Sequence, residues 1–75
     1  DDEVARDVAK VLGLEVHGTL YVLVTAAKRG VVTVEEALGI LDRLVAGGFR
    51  ISAELYLKTR SVLLRLAGRA GQKRP

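Results

Sequence analysis

Glycine punctuation divides this chain more firmly than any other feature. Glycines at positions 13, 30, 47, 48 and 68 each fall at the end of an apolar-periodic stretch. A glycine there takes the left-handed backbone conformation of a helix C-cap at no steric cost. In the first segment Val4, Val8, Val11 and Leu12 recur at helical spacing with Arg6, Asp7 and Lys10 between them, predicting an amphipathic helix over 2–12 with Asp1 or Asp2 as its cap. Past Gly13, Leu14-Glu15-Val16-His17 alternates apolar and polar, the pattern of a short strand.

Thr19 opens a second helix over 20–29 that stops at Gly30. Tyr21, Val22, Val24 and Thr25 favour strand, and a hairpin turning through Val16-His17-Gly18-Thr19 is the competing reading; the cationic exit Lys28-Arg29-Gly30 favours helix. Thr33-Val34-Glu35-Glu36 is a capping box, in which hydroxyl and carboxylate each satisfy the other residue's backbone amide. It opens a third helix over 34–46, with Val34, Ala37, Leu38, Leu41, Leu44 and Val45 on one face, which Gly47-Gly48 ends. Phe49 and Ile51 plug the core from a short extended link, and Ser52 caps a fourth helix over 53–67 ending near Gly68. The fold class is therefore mainly α, four helices with one short strand near 14–17, in a single domain over 1–68. Residues 69–75, small, charged and glycine-containing, are expected to be a disordered basic tail. A lone strand leaves a row of backbone donors and acceptors unpaired, so either a further part of the protein or a second copy is expected to cover it together with the apolar face of the first helix, giving a homo-oligomer, most simply a dimer.

Seventy-five residues make one small core, built almost wholly from Leu, Val and Ala, with no Cys or Trp. Absent cysteine rules out a disulfide framework and a thiolate zinc site, and a single histidine, His17, rules against an imidazole-rich metal centre. Methionine is also absent, so upstream sequence is expected. No uninterrupted apolar run reaches the roughly 18 residues of a membrane span, and the expected location is the cytoplasm. Asparagine is missing and Gln72 is the only glutamine, a depletion of thermolabile side chains found in thermophile proteins. Charge is unevenly placed: residues 1–54 carry nine acids against six Lys and Arg, whereas 55–75 carry six Lys and Arg and no acid. A cationic C-terminal stretch attracts phosphate, and it also offsets the negative end of a helix dipole.

Four segments in order, Asp-Asp-Glu-Val-Ala-Arg-Asp-Val-Ala at 1–9, Leu-Gly-Leu-Glu-Val-His-Gly-Thr-Leu at 12–20, Ala-Lys-Arg-Gly-Val-Val at 26–31 and Gly-Gly-Phe-Arg-Ile-Ser-Ala-Glu-Leu-Tyr at 47–56, resemble the C-terminal half of small prokaryotic PIN-domain proteins related to the VapC toxins of toxin–antitoxin pairs. The resemblance implies an α/β/α parent fold and a metal-dependent ribonuclease that gathers carboxylates around Mg²⁺ or Mn²⁺. Hard divalent ions take oxygen ligands and position water beside a phosphodiester. In that pattern one carboxylate stands where Asp1 and Asp2 stand here, which makes them the candidate metal ligands. The others would lie upstream, and Gly18-Thr19 occupies a position that is often acidic. One or two adjacent carboxylates do not hold an octahedral Mg²⁺, so this chain is expected to bind no metal by itself and to be inactive, catalytic residues being none. Candidate nucleic-acid contacts are Arg50, Arg65, Arg69, Lys73 and Arg74. His17 and the Gly18-Thr19 helix start are weaker candidates, for catalysis and phosphate binding respectively. Two functions stand: a nuclease-derived PIN half-domain, or a non-catalytic helical module that binds RNA or a protein such as an antitoxin, or itself.

Overall fold

The computed structural model describes residues 2–72, with side chains from Glu3 to Arg69. It contains three helices, α1 (Asp2–Lys28), α2 (Val34–Ala46) and α3 (Ala53–Gln72). The four-helix reading is corrected at its first two elements. Residues 2–12, 14–17 and 20–28 are one continuous helix of 27 residues, and no strand occurs among the described residues. Phase explains why the chain runs through Gly13 and Gly18. Ala9, Leu12, Val16, Leu20, Leu23 and Ala27 follow one another at three- and four-residue steps, so the core-facing stripe crosses both glycines without losing register. Neither glycine takes positive φ. Each costs the helix roughly 1 kcal/mol against alanine, a loss that burial of Leu20 and Leu23 outweighs at roughly 1.5–3 kcal/mol per side chain. Of the two grounds for a partner, the strand edge is therefore absent among the described residues, and the apolar face of the first helix remains, with Val4 and Val8 exposed.

At Gly30 and Gly48 the punctuation holds, with φ of 76° and 96°. Both ends are Schellman motifs. After α1 the Val31 amide donates to the Ala26 carbonyl (2.9 Å) and the Gly30 amide to that of Ala27 (3.1 Å); after α2 the Phe49 amide donates to Leu44 (2.9 Å) and Gly48 to Val45 (3.1 Å). The capping box of α2 is formed as read, Thr33 N–H donating to Glu36 Oε1 at 2.8 Å and Glu36 N–H to Thr33 Oγ1 at 3.0 Å. Ser52 caps α3 by accepting from the Leu55 amide at 3.1 Å. Helix α3 passes Gly68 and reaches Gln72, so residues 69–72 of the expected tail are helical and 73–75 lie outside the described residues.

The core gathers where all three helices meet. Leu20 and Leu23 of α1, Ala37 and Leu41 of α2 and Leu63 of α3 are buried, with Val16, Val24, Ile51, Leu55 and Leu66 packed around them. Thr59 is buried too, its hydroxyl satisfied by the Leu55 carbonyl at 2.8 Å. Between α2 and α3 the Tyr56 hydroxyl donates to Asp42 Oδ1 at 2.6 Å. A 27-residue helix is about 40 Å long, twice the length of α2. The first half of α1 thus projects from the bundle, Val4, Val8 and Val11 stay more than half exposed, and the molecule measures 59 × 21 × 19 Å. By length and apolarity alone Glu3–Lys28 would also suit a membrane span. Its charges Arg6, Asp7, Lys10 and Glu15 would each cost up to about 3 kcal/mol in a bilayer, while its C-terminal half supplies the bundle core.

Candidate functional site

Two surface clefts receive the residues singled out from the sequence. The first is a groove of about 320 Å³ between the N-terminal half of α1 and the start of α3, with a floor of Leu12, Val16, Ile51 and Leu55 and a rim of His17 and Arg50. The second, about 460 Å³, opens where α1 ends and α2 begins, and Lys28 and Arg69 stand among its lining with Thr33 and Leu66. Helix α3 positions Arg69 because Leu63 and Leu66 fix its inner face on the core. Arg65 and Lys58, four and eleven residues earlier, share the outward face with Arg69 and are exposed. The structure thus aligns Lys58, Arg65 and Arg69 and adds Lys28 from a different helix. Arg50 lies apart, on the other groove. Lys73 and Arg74 lie outside the described residues.

Sequence reasoning missed that Lys28 and Arg69, 41 positions apart, line one cleft, which they do only because α1 and α3 pack together. It also missed the Tyr56–Asp42 pair, since the outward face of α2 predicts nothing about which α3 residue reaches it. Accepting the hydroxyl's hydrogen bond, Asp42 holds the Tyr56 pKa above its ordinary 10.0; desolvation and the carboxylate's charge act in the same direction, and Arg60 opposes them.

His17 and Gly18-Thr19 change character. They lie within α1, so the Gly18 and Thr19 amides face the preceding turn of the helix and present no phosphate-binding start. His17 is an exposed residue beside Ser52 and Lys58, with no strand end to hold it.

Whether the residues suit a divalent metal is decided by the carboxylates. Glu36 is committed to the α2 cap and Asp42 to Tyr56. Among the described residues no three His, Asp or Glu side chains gather closely enough to hold an ion. Asp1 and the side chain of Asp2 lie outside them. The described donor set does not fit Mg²⁺ or Mn²⁺, which require several oxygens converging on one point.

Comparison with known families gives a match to the PIN domain over residues 1–65. No curated protein and no solved structure matches the chain. The matched residues take in α1, α2 and α3 as far as Arg65. The chain therefore belongs to the PIN-domain family.

Proposed function

We propose that the chain is the C-terminal, helical part of a VapC-like PIN protein descended from a Mg²⁺- or Mn²⁺-dependent ribonuclease, catalytically inactive in isolation, cytoplasmic, and retaining weak affinity for RNA. The family match over residues 1–65 carries this reading. The scattered carboxylates support its inactive side, because phosphodiester hydrolysis of this type needs a metal to neutralise charge and orient water, and the metal needs converging oxygens. The aligned cations Lys58, Arg65 and Arg69 support its binding side, with Lys28 across the cleft and Arg50, Lys73 and Arg74 as further contacts. Such contacts act through phosphate and released counterions, so they lend affinity without sequence preference.

The test uses the purified chain with a labelled single-stranded RNA and Mg²⁺ or Mn²⁺. No cleavage is expected, and binding should weaken with salt at a slope of about −0.7 per phosphate contact. Arg65→Ala with Arg69→Ala should reduce both affinity and slope. Metal-dependent cleavage that is lost on replacing Asp1 and Asp2 by alanine would overturn the inactive assignment. Binding that is absent, or indifferent to salt, would overturn the RNA assignment.

A further inference from the structure

The cleft where α1 ends and α2 begins carries charge of one sign only. Lys28 closes α1, Arg69 stands in the last turn of α3, and both line the cleft. A cation in the last turn offsets its own helix dipole, which explains why each of these ends is basic. It does not explain why two such ends share one cleft, where like charges repel. No acid lines the cleft, neither cation has an ion-pair partner among the described residues, and the neighbouring Glu36 carboxylate is held by the Thr33 amide. The chain itself therefore leaves the positive potential there uncompensated, and the low-dielectric walls concentrate it. Beneath the charges, Ala27, Val32, Val34 and Leu66 pack against the core on one side and remain partly exposed to the cleft on the other.

We infer that this cleft grips the terminal nucleotide of an RNA strand through its phosphomonoester, a reading that rests on the RNA affinity proposed above. Charge selects the end of the strand. A phosphomonoester carries about −1.5 to −2 at neutral pH, where a phosphodiester within the strand carries a single negative charge, so only the terminal group balances both cations. Size selects it as well: at about 460 Å³, walled by all three helices, the cleft has the dimensions of a single small-molecule site and admits one nucleotide, not a run of them. The Arg69 guanidinium suits two phosphate oxygens at once, and Lys28 meets them as a point charge. The aliphatic floor receives the flat face of the base without reading its edge, so the grip is indifferent to sequence. From Arg69 the strand has a path along the outward face of α3 past Arg65, four residues and about 6 Å earlier.

The test measures binding of the purified chain to a short single-stranded RNA carrying an internal fluorophore, made with a 5′-phosphate, with a 3′-phosphate, or with hydroxyls at both ends. One of the phosphorylated strands should bind about fivefold tighter than the strand with hydroxyl ends, the worth of one further exposed ion pair, and the strand that gains names the end recognised. Lys28→Ala and Arg69→Ala should each bring that ratio down to about one, and Lys28→Arg should keep it. Both positions are exposed, so the fold should persist, as circular dichroism would report. Arg50→Ala, on the other groove, should leave the ratio unchanged. Uridine monophosphate, phosphorylated at the recognised end, should compete about fivefold better than inorganic phosphate, because only the nucleotide covers the apolar floor.

Equal binding of all three strands would overturn the inference and leave the RNA reading standing. A preference that survives both Lys28→Ala and Arg69→Ala would overturn it too, by placing the end elsewhere, as would inorganic phosphate that competes as well as the nucleotide. A chain that binds none of the strands would overturn both readings together.

Discussion

Replacing Gly13 by alanine tests the continuity of α1 directly. In a continuous helix residue 13 lies in the interior, where glycine is worse than alanine by about 0.8–1 kcal/mol. A Cβ built on Gly13 meets nothing within 4 Å. Gly13→Ala should therefore stabilise the chain by nearly the full propensity difference. For a domain of this size that corresponds to about 4–8 °C in Tm. If Gly13 instead ended a helix in the left-handed conformation, the same substitution would cost about 1–2 kcal/mol, the penalty of placing a Cβ there. The two geometries thus differ in sign and by at least about 2 kcal/mol, far more than the error of comparing midpoints. Gly30→Ala provides the internal reference: its φ is 76° and its Cβ would also meet open space, so strain alone acts and it should destabilise. The assay is urea unfolding followed by far-UV circular dichroism, at one protein concentration throughout. Gly13 lines the α1–α3 groove. A Gly13→Ala chain less stable than the parent would refute the continuous helix.

Two further expectations concern the bundle. Leu41 is fully buried between the helices, and Leu41→Ala should cost about 2–5 kcal/mol, enough to leave so small a domain largely unfolded at 37 °C, as loss of the helical signal would report; a cooperative transition within 1 kcal/mol of the parent would show that this core is not the one described. Tyr56 should titrate above 10.0, and the direction fixes its pH dependence: a group whose folded pKa is raised contributes stability that is complete below its unfolded value and lost as pH climbs through the folded one, so ionisation of Tyr56 breaks its tie to Asp42 in alkali. Phenolate absorbance in a Tyr21→Phe background measures this, and Asp42→Asn should bring the titration back towards 10.0; no change would mean that the 2.6 Å hydrogen bond does not form in solution.

The parts of the fold that were legible are those set by local chemistry. Thr33 with Glu36, Ser52, and the glycines before Val31 and Phe49 act through atoms within five residues of one another, and each does what its spacing implies. Gly13 and Gly68 were misread because glycine only permits a helix to end. The end itself requires that the following residues do better elsewhere. After Gly30 they do, since Thr33 nucleates a new helix in another direction, whereas after Gly13 the apolar stripe continues in phase to Leu20 and Leu23. The alternation at Leu14-Glu15-Val16-His17 satisfies both periods over four residues, too short a stretch to separate them. Of the candidate site, Arg65 and Arg69 were legible as charges, but that Arg69 lines the same cleft as Lys28 was not, because it depends on how two helices cross.

The core thins out along α1 towards its start. Only Leu20, Leu23, Ala37, Leu41 and Leu63 are buried apolar residues among those described, and the half of α1 that precedes Val16 gains little from them. Intrinsic propensity does not make up the deficit, since helices of a dozen residues are marginal in water and this one carries Gly13 together with Val4, Val8 and Val11. What holds it is the packing of Ala9, Leu12 and Val16 beside Ile51 and Leu55 at the start of α3. On heating, helicity before Val16 should therefore fall first while the three-helix core remains, and amide exchange at Val4, Val8 and Val11 should be faster than at Leu20 and Leu23; equal protection along the whole of α1 would refute this.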